Sequence, residues 1–509
     1  MQAYDQVIVQ IKDYVFHYDI HSPQAWTTAR VALLDAMGCA IETVALSADC
    51  RRFFHPIVPD TVTPYGFHMP GTSYVLDPLK GSFDMATAVR YLDHNDAIAG
   101  ADWGHPSGIL FPFLLFETKK PRTVADMVRA DNLGAILAVS DWLCRRVASC
   151  RIVHTGPPLT MRTLLTALIK AYEIQGCMLL QNAFHSHGLD HVVLVKLAST
   201  AVVAWLLGLS ETQTMAAISQ VWMQGHPLRV YRSGSNTIPR KGWAAGNACM
   251  KATHLALLTR RGQPGSPTPL TMPRWGFYAT SFGNATFDEP REYGSWVMEG
   301  IIFKVMPVEG HALSSVEAAL RHRAALQARG MDHPEKDIDC IEIRTNAAAA
   351  MIINKRGPLN NDADRDHCLQ YIVSLAFLKG AMPGVRDYQD DSVWSSSRAI
   401  TALREKIQIR PDEQLTRDYL DLDVKRLASG MTVILIDGTV LDEILVHQPV
   451  GHSKHPQTFT TVREKVRRNL SLMFSEEEIQ AMEAALSEES LGISGFVDLF
   501  VRPRSEVKL

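Results

Sequence analysis

Hydrophobic residues recur at i, i+3, i+4 and i+7 through most of the first 260 residues, and Gly, Pro or Asn residues separate the successive segments. This period predicts amphipathic helices that each bury one face. The clearest segments are 25–43, 159–173, 194–207, 211–223 and 242–260. The N-terminal part of the chain is therefore predicted to form a mainly helical domain.

The pattern changes after a Pro-rich stretch at 263–273. Residues 338–344 alternate apolar and polar side chains, as a half-buried strand does. Residues 431–436 and 439–447 flank the dipeptide Asp437-Gly438, which predicts a β-hairpin. A smaller α/β domain is therefore expected after the helical one.

Helical spacing returns near the C-terminus, from residue 456 to 491. We predict a fold class that is mainly α with a smaller α/β domain. The predicted boundaries are 1–275 for the helical domain, 276–454 for the α/β domain, and 455–509 for C-terminal helices that return to the helical domain.

Composition excludes several classes of partner. The 509 residues are 46% hydrophobic and 21% charged, with a formal net charge of -3, as in an ordinary globular protein. No global field attracts nucleic acid or anionic lipid, and apolar runs such as 109–116 are too short to cross a membrane. We expect neither a nucleic-acid nor a membrane partner.

Neither end of the chain carries a clear targeting signal. Residues 1–17 contain two Asp and one Lys, and their apolar residues Val7, Ile11, Tyr14 and Val15 recur at helical spacing. An Arg-rich, acid-poor transit peptide has a different composition. The C-terminal Val507-Lys508-Leu509 only approaches the peroxisomal Ser-Lys-Leu signal. A cytoplasmic location is expected.

The eight cysteines form no Cys-x-x-Cys pair. Zinc ribbons and iron–sulfur sites normally need closely spaced thiolates. The sequence therefore predicts no metal and no cofactor of this kind.

Three polar blocks are candidates for chemistry. The first, residues 90–107, reads R-Y-L-D-H-N-D-A-I-A-G-A-D-W-G-H-P-S and contains Asp93, Asp96 and His105. Such a density of carboxylates and imidazoles suits proton transfer near an anionic ligand. The alternative is a helix end, capped by Asp and Asn and followed by a turn.

The second block, residues 225–248, reads G-H-P-L-R-V-Y-R-S-G-S-N-T-I-P-R-K-G-W-A-A-G-N-A. It places Arg229, Arg232, Arg240 and Lys241 in a loop that leads into a helix. Guanidinium groups and free helical N–H groups both favour anions, so a carboxylate or phosphate site is predicted. A solvated basic loop is the alternative.

The third block, residues 303–311, reads F-K-V-M-P-V-E-G-H and sets Lys304 in an apolar run. A buried lysine is costly unless it is paired or functional. The alternative is a lysine whose stem packs while its ammonium reaches water.

Together these blocks resemble the 2-methylcitrate dehydratase family, also named MmgE/PrpD, which includes cis-aconitate decarboxylase. Further matching motifs extend over nearly the whole chain. They are L-L-D-A-M-G-C-A-I-E at 33–42, K-A-Y-E-I-Q-G-C at 170–177, G-L-D-H-V at 188–192, R-W-G-F-Y at 274–278 and Y-G-S-W-V at 293–297.

The resemblance implies a helical domain, an α/β lid, a homodimer, a small-molecule tricarboxylate substrate, and no metal or other cofactor. It implies Asp93, His105, Lys241 and Lys304 as catalytic residues, with His311 as a weaker correspondence. We expect Asp96, Arg229, Arg232, Arg240 and His311 to bind substrate. Protein cations would then stabilise the anion, as the iron–sulfur cluster does in aconitase.

Two departures from the family pattern stand out. Residues 108–130 are a 23-residue insert between His-Pro-Ser and Asp-Asn-Leu-Gly, either an added loop or a translated intron, which the sequence of the transcript would distinguish. The basic loop reads R-S-G-S-N at 232–236, followed by G-N-A at 246–248, where R-Q-A-P-N and G-D-A are expected. Such changes would suit a different substituent on the substrate.

The functional interpretations left open are four. The chain is a hydro-lyase acting on 2-methylcitrate or a related 2-alkylcitrate, an alkylcitrate dehydratase of a secondary-metabolite pathway, a cis-aconitate decarboxylase, or a catalytically silent member whose insert blocks the pocket. The motifs resemble those of the dehydratases, which disfavours the decarboxylase. The altered loop and the absent transit peptide lean mildly towards a longer alkylcitrate.

Overall fold

The computed structural model of the chain describes residues 3–99, 127–128, 130–232, 237–288 and 291–502. These residues form a mainly α protein with a smaller α/β part, as predicted. The helices of the first half are α1 (Gln6–His17), α2 (Pro23–Leu46), α3 (Ala48–Arg51), α4 (Pro78–Arg90), α5 (Leu133–Ala148), α6 (Met161–Gln181), α7 (Val192–Leu206), α8 (Glu211–Met223), α9 (Arg240–Arg260), α10 (Phe277–Ser281) and α11 (Trp296–Glu299).

The second half adds ten helices in the described residues. They are α12 (Leu313–Gln327), α13 (Pro334–Asp337), α14 (Ala347–Ile352), α15 (Asp362–Arg365), α16 (Leu369–Lys379), α17 (Arg398–Glu405), α18 (Glu413–Leu420), α19 (Thr458–Leu470), α20 (Glu476–Ala485) and α21 (Ile493–Asp498). The strands are β1 (Phe67–His68), β2 (Val75–Leu76), β3 (Ile98–Ala99), β4 (Met127–Val128), β5 (Ile338–Thr345), β6 (Ile407–Pro411), β7 (Ser429–Leu435) and β8 (Val440–Val446).

Helix α4 lies at the centre of the helical part, packed against α5 and α9. The side chain of Asp77 accepts hydrogen bonds from the backbone N–H groups of Leu79 and Lys80, which caps the helix start. A Cβ atom on Gly246 of α9 would overlap the Thr87 hydroxyl and the Phe83 carbonyl of α4. Glycine at this position therefore lets α9 approach α4 closely.

The predicted strand and hairpin are both confirmed. The four-stranded sheet has the order β6-β5-β7-β8, with β5 parallel to β6 and antiparallel to β7. Strands β7 and β8 are antiparallel around Asp437-Gly438, where Gly438 has a φ of 85° that suits glycine. Strand β6 reads I-Q-I-R-P, which alternates apolar and polar residues over only four positions before a proline, and it was not predicted.

The C-terminal helices contact the helical part. Helix α19 packs on α2, where Gly38 lies against Val466, and α21 contacts α5 and α6. The backbone N–H of Met161 also donates to the carbonyl of Leu491 at 2.9 Å. The domain boundaries at 275 and 454 stay predictions.

In the described residues one helix, which was not recognised from the sequence, is long and apolar enough to cross a membrane. Residues Met161–Leu180 of α6 have the length and apolar composition of a span, with a mean hydropathy of 1.2. In this fold 94% of that segment is buried inside the protein. A core helix of a folded protein has the same composition.

The C-terminal part of the 108–130 insert pairs with a segment that precedes the insert. Strand β3 pairs antiparallel with β4, with Ile98 opposite Val128 and Ala99 opposite Met127. Residues 100–126 lie outside the described residues, and His105 is among them. The choice between an added loop and a translated intron stays open.

The contact of α9 with α4 generates a prediction. Gly246→Ala should lower the free energy of unfolding by about 1–3 kcal/mol, because the added methyl group has no room against Thr87 and Phe83. Gly38→Ala is the matched control, since its Cβ would meet atoms no closer than 3.6 Å and alanine favours a helix. Urea unfolding followed by circular dichroism measures both variants. Equal stability of the two would contradict the close approach.

Candidate active site

The carboxylate of Asp93 is the centre of a buried cluster of charges. Asp93 follows the C-terminus of α4 and has a left-handed φ of 53°, which aspartate tolerates better than most residues. Its side chain is fully buried. The ammonium of Lys304 donates to the Asp93 backbone carbonyl at 3.0 Å and to its Oδ1 at 2.5 Å. The turned backbone thus presents two acceptors to one lysine.

Lys304 lies on a short extended segment held from both sides. Ile302 forms antiparallel bridges with Ala97 and with His452. The backbone N–H of Phe303 donates to the carbonyl of Gly451 at 2.8 Å. These backbone contacts explain how a lysine more than 200 residues from Asp93 reaches it.

Three further groups surround the same carboxylate. Nη1 of Arg90 lies 3.0 Å from Oδ1 of Asp93, and Oδ2 lies 3.7 Å from the Lys241 ammonium and 3.5 Å from Nε2 of His367. Burial opposes ionisation of Asp93, but Arg90, Lys304 and Lys241 outweigh it and hold the pKa of this carboxyl well below its ordinary value. Asp93 is therefore a carboxylate at neutral pH.

Lys241 links this cluster to the α/β part. It lies in the first turn of α9, and its ammonium donates to Oδ1 and Oδ2 of Asp366 at 2.9 and 2.8 Å. The same ammonium lies 3.2 Å from Nδ1 of His367. Asp366 and His367 form the connection between α15 and α16, so one lysine joins the two parts of the protein.

Burial shifts the proton affinities of the basic groups. It lowers the pKa of Lys304, although the carboxylate of Asp93 opposes the shift. Burial, followed by the Lys241 ammonium, lowers the pKa of His367, which makes its imidazole neutral at pH 7. This imidazole lies beside the carboxylates of Asp93 and Asp366 and the ammonium of Lys241. A neutral imidazole in such surroundings is able to accept or donate a proton.

The cluster also contains a set of metal-ligating groups. Ligand atoms of Asp93, Asp366 and His367 lie within 4.8 Å of one another. The Lys241 ammonium, however, lies 2.8–3.7 Å from atoms of the same three residues. The ammonium of Lys241 therefore lies beside all three groups, and catalysis without a metal stays a prediction.

A cavity of about 460 Å³ opens beside Lys241 and Asp366. Tyr91, Leu92 and Tyr388 contribute to its wall. Its lining also includes four further aspartates, namely Asp49, Asp362, Asp390 and Asp391. These acids disfavour a substrate carboxylate beside them, so an anionic ligand is expected to bind close to Lys241, the lysine that lines this cavity.

The other predicted residues of the first and third blocks have partners of their own in the described structure. Asp96 is buried and accepts a hydrogen bond from the Tyr172 hydroxyl at 2.6 Å. His311 is buried between Glu309 and the hydroxyl of Tyr419, at 3.0 Å from each. His105 lies outside the described residues.

The arginines of the basic loop contact groups other than the Lys241 ammonium. Nε of Arg232 lies 2.7 Å from Asp190, and Nη1 of Arg229 lies 3.5 Å from Nδ1 of His191. Arg240 stacks over the ring of Trp243 at 4.2 Å. Arg232 also interacts electrostatically with the buried Asp131, and Arg90 and Asp93 act on the same carboxyl group. The substrate-binding roles of the three arginines stay predictions.

Comparison with known proteins agrees with this architecture. A model of the MmgE/PrpD N-terminal domain matches residues 9–130 and 124–290, and a model of the MmgE/PrpD C-terminal domain matches residues 306–488. The chain belongs to the MmgE/PrpD family.

Several members of this family are similar over nearly their full length. An alkylcitrate dehydratase phiI of Fungal sp. (strain ATCC 74256) is 54% identical, covering 98% of this chain and 94% of its own. The 2-methylcitrate dehydratase-like protein oryR of Aspergillus oryzae is 47% identical, covering 98% and 96%. The 2-methylcitrate dehydratase of Escherichia coli K12 is 42% identical, covering 98% of each chain.

Sequence analysis of this MmgE/PrpD chain missed three groups at the site. Arg90 begins the first polar block but was not singled out. Asp366 and His367 belong to the run N-D-A-D-R-D-H at 361–367, which is as rich in carboxylates as the first block. That density was the available signal, yet nothing in the sequence connects it with Lys241.

A second buried network supports the backbone of the cluster. The ammonium of Lys465, on α19, donates to the backbone carbonyls of His94 at 2.6 Å and of Lys304 at 2.8 Å. It also forms an ion pair with Asp35 of α2 at 2.8 Å. Nδ1 of His94 lies 2.7 Å from Glu42 of the same helix. Lys465 thus ties together the two segments that carry Asp93 and Lys304.

Lys465 is expected to act as a positioning residue. Lys465→Met should lower kcat for 2-methylcitrate, the substrate in the names of the bacterial relatives, by about 100-fold, the effect of displacing reacting groups by about 1 Å. It should also destabilise the fold, because Asp35 is left buried and unpaired. Steady-state kinetics and thermal unfolding measure the two effects.

The double variant Asp35→Asn/Lys465→Met separates the two effects. It removes the unpaired carboxylate and should recover stability, whereas kcat should stay low because the carbonyls of His94 and Lys304 remain unlinked. Arg463→Met, at an exposed position of the same helix, is the matched control. A stable double variant with normal kcat would show that Lys465 has a purely structural role.

Proposed function

We propose that this protein is a hydro-lyase that removes water from 2-methylcitrate or a related 2-alkylcitrate to give the corresponding cis-aconitate analogue. The observation that carries the proposal is the convergence of Arg90, Lys241 and Lys304 on the Asp93 carboxylate, with the imidazole of His367 beside it. The names of the relatives, at 42–54% identity, indicate the same reaction.

The reaction requires two proton transfers and strong anion stabilisation. A base removes a proton from the carbon beside a carboxylate, the C–O bond breaks, and an acid protonates the departing hydroxide so that it leaves as water. Fixed cations stabilise the enolate-like charge that develops on the substrate carboxylate. In this proposal Lys241 and Lys304 supply that stabilisation, and Asp93, His367 and His105 are the candidate proton carriers.

Substrate binding is expected to change the contacts of Lys241. Its ammonium is paired with Asp366 in this structure, and a substrate carboxylate would compete for the same donor. Arg90, Lys241 and Lys304 face the carboxylates of Asp93 and Asp366. Arg90 also lies 4.0 Å from the buried Asp131. Protonation of His367 would add a positive charge to this cluster and strengthen its attraction for an anionic substrate.

Other features of the proposal follow from the family resemblance. They are a homodimeric assembly, a cytoplasmic location, and catalysis without metal or other cofactor. Size-exclusion chromatography with light scattering measures the assembly. Turnover that survives prolonged incubation with EDTA would support the metal-free mechanism.

A substrate comparison tests the function. Purified protein should increase the ultraviolet absorbance of a new carbon–carbon double bond when it is given 2-methylcitrate or a longer 2-alkylcitrate, and the ratio of the two kcat/KM values identifies the preferred chain length. Citrate serves as the substrate without the alkyl substituent. No absorbance change with any of the three would contradict the proposal and favour a catalytically silent protein.

Variants identify the site within the same assay. Lys241→Met should lower kcat by two to four orders of magnitude, because it removes a cation that stabilises the transition state. Lys336→Met, in the short helix α13 of the α/β part, is a matched control outside the described cluster. Normal turnover in Lys241→Met would exclude Lys241 from the catalytic residues.

A further inference from the structure

A second cavity, of about 380 Å³, lies between α7, the loop after α8, and α9. It shares no lining residue with the cavity beside Lys241. Lys196, Arg240 and Lys251 line it, together with the imidazole of His226. Successive residues of an α-helix point about 100° apart, so the neighbours Arg240 and Lys241 face different cavities.

The lining of this second cavity contains three cations and no carboxylate. In the described part of the chain, no ion pair joins Lys196, Arg240 or Lys251 to an acidic group. This composition contrasts with the first cavity, where Lys241 faces Asp366 and four further aspartates line the wall. The positive charge of the second cavity is therefore uncompensated within the described protein.

Lys196 is the cation whose burial costs the most free energy, because its ammonium is the most deeply buried of the three. It is 2% exposed, and its ammonium donates to the backbone carbonyls of Gln224 at 2.9 Å and of Gly225 at 3.3 Å. An ammonium has three N–H donors, which leaves one for a ligand. Burial, followed by the charge of Lys251, lowers the pKa of Lys196 to about 7. A bound anion would relieve both penalties.

Arg240 is oriented in a way that also suits an anion. Its guanidinium stacks over the rings of Trp243 at 4.2 Å and Tyr231 at 5.2 Å. Stacking uses the faces of the guanidinium plane and leaves its N–H groups directed along the edges, where carboxylates and phosphates bind. The rings thus fix the arginine in place before any ligand arrives.

We propose that this second cavity binds a multivalent oxyanion, a phosphate group or a polycarboxylate, between Lys196, Arg240 and Lys251. The site is separate from the Asp93 cluster and does not depend on the dehydratase reaction. Two or more negative charges on the ligand would match Arg240 and Lys251 and would favour the protonated form of Lys196. The proposal also assigns Arg240, predicted above to bind substrate, to a different ligand site.

Isothermal titration calorimetry with inorganic phosphate tests the site. The unmodified protein should bind phosphate, and Lys251→Gln should raise the Kd about tenfold or more, because a charge-assisted hydrogen bond contributes about 1.5–3 kcal/mol. Lys251 is half-buried at the cavity wall, so its replacement should leave the fold intact. Arg260→Gln, at an exposed position of the same helix, is the matched control and should not change the Kd.

Competition separates the two kinds of ligand. Malonate that displaces phosphate from the unmodified protein would extend the site to polycarboxylates, and failure to displace it would restrict the site to phosphate groups. The proposal is overturned if phosphate does not bind, or if Lys251→Gln and Arg260→Gln both keep the original Kd. Equal weakening in the two variants would indicate a general charge effect and would overturn it as well.

Discussion

The ionised carboxylate of Asp93, with no exposed surface, imposes the constraint on which the candidate site depends. A carboxylate removed from water costs several kcal/mol unless cations and hydrogen bonds replace its hydration. Arg90, Lys241 and Lys304 supply the cations, and each comes from a different part of the chain. The fold is therefore required to bring the end of α4, the start of α9 and the 302–304 segment to one point. The same requirement gives the protein a preorganised anion-stabilising centre.

The backbone around that centre is supported by a second buried ion pair. Asp35 and Lys465 form a second buried ion pair, and Lys465 uses its remaining donors on the backbone that carries Asp93 and Lys304. Helix α19 thereby gains a function in the site although it is more than 160 residues from Lys304 in sequence. The Asp35–Lys465 ion pair also joins α19 to α2. Rigid placement of the charges is what electrostatic stabilisation of a transition state requires.

Helix α9 separates two electrostatic environments. The positive charge of Lys241 is compensated by the carboxylates of Asp93 and Asp366. Such an arrangement suits a site where protons are transferred. Arg240 and Lys251 face a cavity without acids, which suits binding of an anion. The close approach of α9 to α4 at Gly246 fixes the rotation of the helix and thus decides which of its cations faces which cavity.

The sequence by itself determined the mainly helical class, the 338–344 strand and the hairpin at Asp437-Gly438. It also singled out Asp93, Lys241 and Lys304 as candidates, and their catalytic roles stay predictions. These conclusions rest on local period, on turn chemistry and on charged residues in apolar or motif-rich surroundings, all of which are written within a few neighbouring positions. Only the tertiary structure decided that Arg90, Asp366 and His367 complete the cluster, that Arg240 faces elsewhere, and that Lys465 holds the backbone. Partners such as Lys241 and Asp366 are 125 residues apart, and an ion pair depends on distance and burial in space. Neither quantity is encoded in the local pattern of a single sequence.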